Sequence, residues 1–159
     1  MMPSGIKTMA GRNLLSRVPR LSQVSITFDG TIGAVGDMIL FNITGRCLVT
    51  HFAVGCTSSL TGAATMSIGP PNNDQEFLPD TTATAFDSGN WWDTATPQPQ
   101  AGNAIVNKTI GPATTTNANT LLLNIESTAI TGGAMEVFCM WLPLSGDGNI
   151  AAETPGTYA

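Results

Sequence analysis

Apolar residues recur at every second position through most of this chain, the period expected of half-buried β-strands. In "SQVSITFD" (22–29), Val24, Ile26 and Phe28 share one face, and Gln23, Ser25 and Thr27 the other. "MILFNIT" (38–44) and "RCLVTHFAVGCT" (46–57) predict two further strands around a turn at Gly45, and "AATMSIG" (63–69) a fourth that stops at Pro70-Pro71. "EFLP" (76–79) and "TTATAF" (81–86) have the length of edge strands. "NAIVNKTI" (103–110), "NTLLLNIES" (119–127) and "GAMEVFCMWLPL" (133–144) complete the series. In the last of these, Met135, Val137, Cys139 and Trp141 lie on one face while Phe138, Met140 and Leu142 lie on the other. Such a strand is apolar on both sides, as a central or interface strand would be.

No window carries a helical period. About eight short strands with regular turn signals predict an all-β protein, an antiparallel β-sandwich of jelly-roll type. The stretch "DSGNWWDTATPQPQAG" (87–102) holds Pro97 and Pro99 and is expected to be irregular. The residues that close the chain, "SGDGNIAAETPGTYA", show no core pattern. The expected organisation is an extended N-terminal arm (1–20), a sandwich domain (21–145) and a C-terminal tail (146–159).

Composition sharpens this picture in two ways. The chain has 159 residues, the size of one domain, but only 11% of them are charged, against about 25% in an average soluble domain. A surface so poor in charge favours being covered by neighbours. The few charges are also unevenly placed. Lys7, Arg12, Arg17 and Arg20 precede Leu21 with no acid among them, whereas Arg46 and Lys108 are the only later cations against 11 acids. A basic arm on an acidic body points to a contact with an acidic protein surface. Scattered cations without interleaved aromatics are a thin footprint for nucleic acid, so none is expected as a partner. No span reaches the roughly 18 apolar residues of a membrane helix, and the first 20 residues contain no apolar core of a signal peptide. Synthesis in a reducing cytoplasm is therefore expected, and the sequons at Asn42 and Asn107 are chance features of a Thr-rich chain.

The chemistry-bearing residues point away from catalysis. His51, the single histidine, lies between Cys47 and Cys56. In a strand, Cys47 and His51 share a face at a separation of roughly 13 Å, too far for one zinc ion with bonds of about 2.0–2.3 Å. Cys56 faces the other way unless a bulge intervenes. Buried structural residues are expected here, with no metal, no disulfide framework from an odd cysteine count, and no cofactor. A serine triad lacks its G-x-S-x-G elbow, and "GTIGAVGD" (30–37) is not a phosphate loop. Asp74, Glu76, Asp80, Asp87 and Asp93 gather in the long connection without a calcium-loop spacing. Trp91-Trp92 stands out instead. Two adjacent tryptophans project in different directions, so one of them is expected either to anchor a subunit contact or to stack on a sugar.

The run "GDMILFNITGRCLVTHFAVGCTSSLTGAATMSIG" followed by "TTATAFDSGNWWDTATP" resembles small virion proteins of tailed bacteriophages, over roughly residues 36–144. The shared features are glycines, threonines and alternation. The resemblance implies a noncatalytic minor structural protein, and more specifically a head decoration or cement protein. Such proteins have a jelly-roll body that sits as a homotrimer on the capsid exterior, in contact with the major capsid protein. A tail, neck or fibre component is the alternative within the particle, and a glycan-binding jelly roll the alternative outside it. Lys7, Arg12, Arg17 and Arg20 lie outside the matching span, so their role as a capsid-contact arm rests on charge.

Overall fold

The computed structural model describes residues 18–93, 96–99, 105–111 and 119–159. The strands are β1 (Arg20–Thr27), β2 (Gly36–Thr44), β3 (Cys47–Thr61), β4 (Thr65–Gly69), β5 (Leu78–Thr82), β6 (Trp91–Trp92), β7 (Ile105–Ile110), β8 (Thr120–Glu126), β9 (Gly132–Pro143) and β10 (Asn149–Ala152). They form two antiparallel sheets. One runs β1-β9-β3, with β6 and β7 both pairing along the far edge of β3, and the other runs β10-β2-β8-β4-β5. The chain crosses repeatedly from sheet to sheet, and this order is that of a jelly roll with β10 added beside β2.

The alternation seen in the sequence is what packs the two sheets. Val24 and Ile26 of β1 and Met135, Val137, Cys139 and Trp141 of β9 are all buried, as are Leu121, Leu123 and Ile125 of β8. Rings cross the gap between the sheets: Phe41 of β2 meets Phe52 of β3 edge-on at 6.4 Å, and Phe52 meets Phe77 at 5.2 Å. At the open end, Trp141 Nε1 donates to Ser22 Oγ at 2.9 Å, and Ser22 Oγ donates to the Ile150 carbonyl at 2.6 Å. That relay ties β1 of one sheet to β10 of the other.

Three features depart from the pattern read in the sequence. First, the C-terminal residues are part of the sandwich. Asn149–Ala152 pairs with Phe41–Thr44, Ile150 is buried, and the Tyr158 hydroxyl accepts from Gly33 N at 3.0 Å and donates to the Thr31 carbonyl at 3.2 Å. Backbone pairing and two anchoring side chains hold this segment, and neither leaves a periodic signal. Second, "TTATAF" is not a separate edge strand: its first two residues end β5, and Ala83–Ala85 turn into a short 3-10 helix. Third, the "WW" pair is not irregular but forms β6, with Trp92 opposite Val54 and Trp91 opposite Gly55.

A β-bulge in β3 decides which side chains of that strand reach the surface. Val49 stands opposite Trp141, yet His51 stands opposite Met140, so Thr50 is an extra residue in the strand. A single inserted residue exchanges the two faces of everything beyond it. Cys47 and Val49 point inward, and after the bulge Phe52, Val54 and Cys56 do.

Candidate functional site

The bulge turns His51 outward. Its position is exposed rather than buried, correcting the expectation of a buried structural histidine on the Cys47 face. Thr50 Oγ1 donates to the Met140 carbonyl at 3.2 Å, and His51 Nδ1 lies 3.2 Å from the same hydroxyl. All three cysteines are free and buried. Burial pushes the Cys47 thiol up to about 11 and raises Cys56 and, most strongly, Cys139. Cys56 Sγ also donates to the Ser58 and Phe86 carbonyls, both at 3.2 Å. These are protonated packing groups at neutral pH, and the lone imidazole faces away from them.

Two acids of the long connection, Glu76 and Asp80, have separate partners, whereas Asp93 Oδ2 is buried without a hydrogen-bond partner among the described residues. Glu76 is paired with Lys108 and accepts from Asn73 Nδ2, and Asp80 accepts from Gln75 Nε2 at 2.9 Å. Among the described residues, no group of three or more His, Cys, Asp or Glu side chains could hold a metal ion. The Asn42 amide of the first sequon donates to Glu153 and so fastens the C-terminal segment.

What the fold does assemble is an apolar surface on the outer face of the β1-β9-β3 sheet. Leu21 is the Cα partner of Met140, Met140 of His51, and His51 of Ile105. These four residues make one row straight across four strands. Leu21, Ile105 and Met140 are 58%, 55% and 38% exposed, three of the six exposed large hydrophobics among the described residues. Half-buried Phe138 and Leu142 flank the row on β9, where side chains alternate against the inward Val137, Cys139 and Trp141. Leu48 and Ala53 continue the surface on β3, opposite Leu142 and Phe138.

The two tryptophans divide between the faces. Trp92 is fully buried, with its ring edge-on to Phe86 at 6.2 Å. It belongs to the core, which removes it as a contact or sugar-stacking residue. Trp91 is half-buried on the outer face. Its ring lies over Gly55, where a Cβ would stand 3.4 Å from the indole, and 5.9 Å from the Phe138 ring. Trp91 thus extends the apolar surface by one more large ring.

Of the basic arm residues, Lys7, Arg12 and Arg17 lie outside the described residues. Arg20 does not reach away from the body. It opens β1 and holds its guanidinium 5.2 Å from the centre of the Trp141 ring, a cation–π contact over the end of the core. The last strand's doubled apolar pattern identified Phe138, Met140 and Leu142 in the sequence, but not Leu21 and Ile105. Each of these is a single outward apolar residue in a strand whose other outward residues are polar, and only strand register brings them beside Met140.

Compared with known proteins, the chain matches no family model, no curated protein sequence and no solved structure.

Proposed function

We propose that this chain is a noncatalytic structural protein of a bacteriophage particle, a capsid decoration protein that binds the outer head surface and reinforces the shell. The observation that carries a contact role is the Leu21–Met140–His51–Ile105 row with Phe138 and Trp91 beside it. Contiguous exposed apolar surface on a charge-poor protein is the feature of a macromolecular interface. The assignment to a phage particle rests on the sequence resemblance, with the jelly roll as a fold-level analogy that hosts other functions too. On this reading the partners are the major capsid protein and the chain's own copies, grouped as trimers, and the protein is made in the host cytoplasm before joining the virion. The test is mass spectrometry of purified phage heads separated from tails. Stoichiometric presence in heads supports the proposal, presence in tails alone moves the protein to a tail, neck or fibre position, and absence from both overturns it.

A second reading is favoured by Trp91. A half-buried indole on an open sheet face, with Glu136 opposite the Gly55 beneath it and Ser25 Oγ 3.4 Å from Glu136 Oε1, resembles a sugar-stacking platform. Specific binding on a glycan array, lost in Trp91→Ala and kept in a charge substitution at Met140, would make the protein a glycan-binding module instead.

A further inference from the structure

We infer that the occupant of the outer face of the β1-β9-β3 sheet is a second copy of this chain, with the Leu21–Met140–His51–Ile105 row at the centre of the contact. This rests on the contact-protein reading above and names the partner of that surface. The row spans four strands, about 14 Å at the usual spacing of some 4.8 Å between neighbours. Around this centre lies a polar rim, with Gln23, Ser25 and Thr27 on the β1 side, Glu136 beside Ser25, and exposed Asn107 and Thr109 on the β7 side. An apolar centre depleted of charge and a polar rim are the anatomy of a protein–protein interface.

Charge selects among the possible occupants. Beyond residue 20 every copy carries 11 acids against Arg46 and Lys108, so copies repel over most of their surface. Within the strands β1, β9, β3, β6 and β7 themselves the one carboxylate is Glu136, set to one side of the row. This face is therefore where two acidic bodies can meet without setting like charges against each other. The basic arm is a poor match for the same face. Lys7, Arg12 and Arg17 would bring cations to a sheet whose strands offer them only Glu136, while most of the acids lie elsewhere. A permanent cation at the row's centre would have to be desolvated without a partner.

The test is sedimentation of the full chain from low to high micromolar concentration, comparing wild type with Met140→Lys, Leu21→Lys, His51→Leu and Val35→Lys. Val35 is 57% exposed and lies off the face, so it controls for adding a lysine in place of a surface apolar residue. All four positions are exposed, and circular dichroism checks that each variant keeps the fold. The expected result is a wild-type mass that is a multiple of 16.5 kDa. Met140→Lys and Leu21→Lys should each raise the dissociation constant at least tenfold, His51→Leu should lower it, and Val35→Lys should leave it unchanged. A monomer at every concentration overturns the inference, as does an oligomer no more sensitive to Met140→Lys than to Val35→Lys. A monomer that still copurifies with heads would sink the self-contact alone, whereas an oligomer absent from all particles would sink the virion reading alone.

Discussion

Trp91 and Trp92 are neighbours in sequence, yet their substitution should have very different consequences for stability. Trp92 is wholly inside the core, and replacing a buried Trp by Ala costs about 3–5 kcal/mol in lost transfer energy and residual cavity. The loss includes its edge-on contact with Phe86, a class of aromatic pair worth about 0.5–1.5 kcal/mol. Trp92→Phe should cost much less. Among the described residues its Nε1 has no hydrogen-bond partner, and an unpaired buried donor costs about 1–3 kcal/mol, so removing that group offsets part of the lost volume. Trp91→Ala removes a half-exposed ring whose main contact is Phe138, and should cost about 1 kcal/mol. The assay is urea unfolding followed by far-UV circular dichroism, because the remaining tryptophans complicate fluorescence, with midpoints compared at a common slope. It is best run in the Met140→Lys background, where self-association does not add its concentration-dependent contribution. The division of the two rings between core and surface is wrong if Trp92→Ala stays within about 1 kcal/mol of its parent, or if Trp91→Ala costs as much as Trp92→Ala.

Other consequences can be checked with the same preparations. Native protein should resist thiol reagents at neutral pH, and Cys47, Cys56 and Cys139 should all react once it is unfolded. Because burial raises the Cys47 thiol from 9.0 to about 11, the unfolded chain ionises first. The stability linked to this group is complete below about 9 and is lost as pH climbs toward about 11, visible as a falling urea midpoint over that window. Gly111→Ala should destabilise far more than Gly89→Ala in thermal melts. Both have positive φ, but a Cβ at Gly111 would stand 2.0 Å from the Gly45 carbonyl oxygen, while nothing lies within 4 Å at Gly89. Deleting residues 1–17 leaves β1 whole, since it starts at Arg20. On the decoration reading the deletion should weaken binding to purified heads, and added salt should weaken the intact protein, because exposed charge contacts are screened beyond about 8–10 Å.

Much of this architecture is legible in alternation alone. Val24 and Ile26, the Leu121–Leu123–Ile125 series and the two faces of β9 could be assigned because a period of two on a half-buried strand admits no other facing. Elsewhere the outcome was set by pairing rather than propensity. Thr50 has the β-branched side chain of an ordinary strand residue, so nothing local marks it as the inserted residue that moves His51 to the surface and Cys56 to the core. Trp91-Trp92 is too short to show a period, and its strand exists because Val54 and Gly55 offer an edge. β10 is held by hydrogen bonds to β2 and by Ile150, a single buried side chain. The contact face was half legible. Phe138, Met140 and Leu142 announced it from one strand, while Leu21 and Ile105 joined it through register, which a linear sequence does not display.

On the proposed reading this sandwich acts by occupying a place in a particle, with the outer face of its β1-β9-β3 sheet against another copy. A subnanometre map of the phage particle, with the jelly roll fitted as a rigid body, puts both halves of that reading to the test at once. Clustered sandwiches are expected on the outside of the head, with Met140 and His51 turned toward a neighbouring copy. Absence of the sandwich from the particle, or isolated copies whose Leu21–Met140–His51–Ile105 row faces solvent, would contradict it.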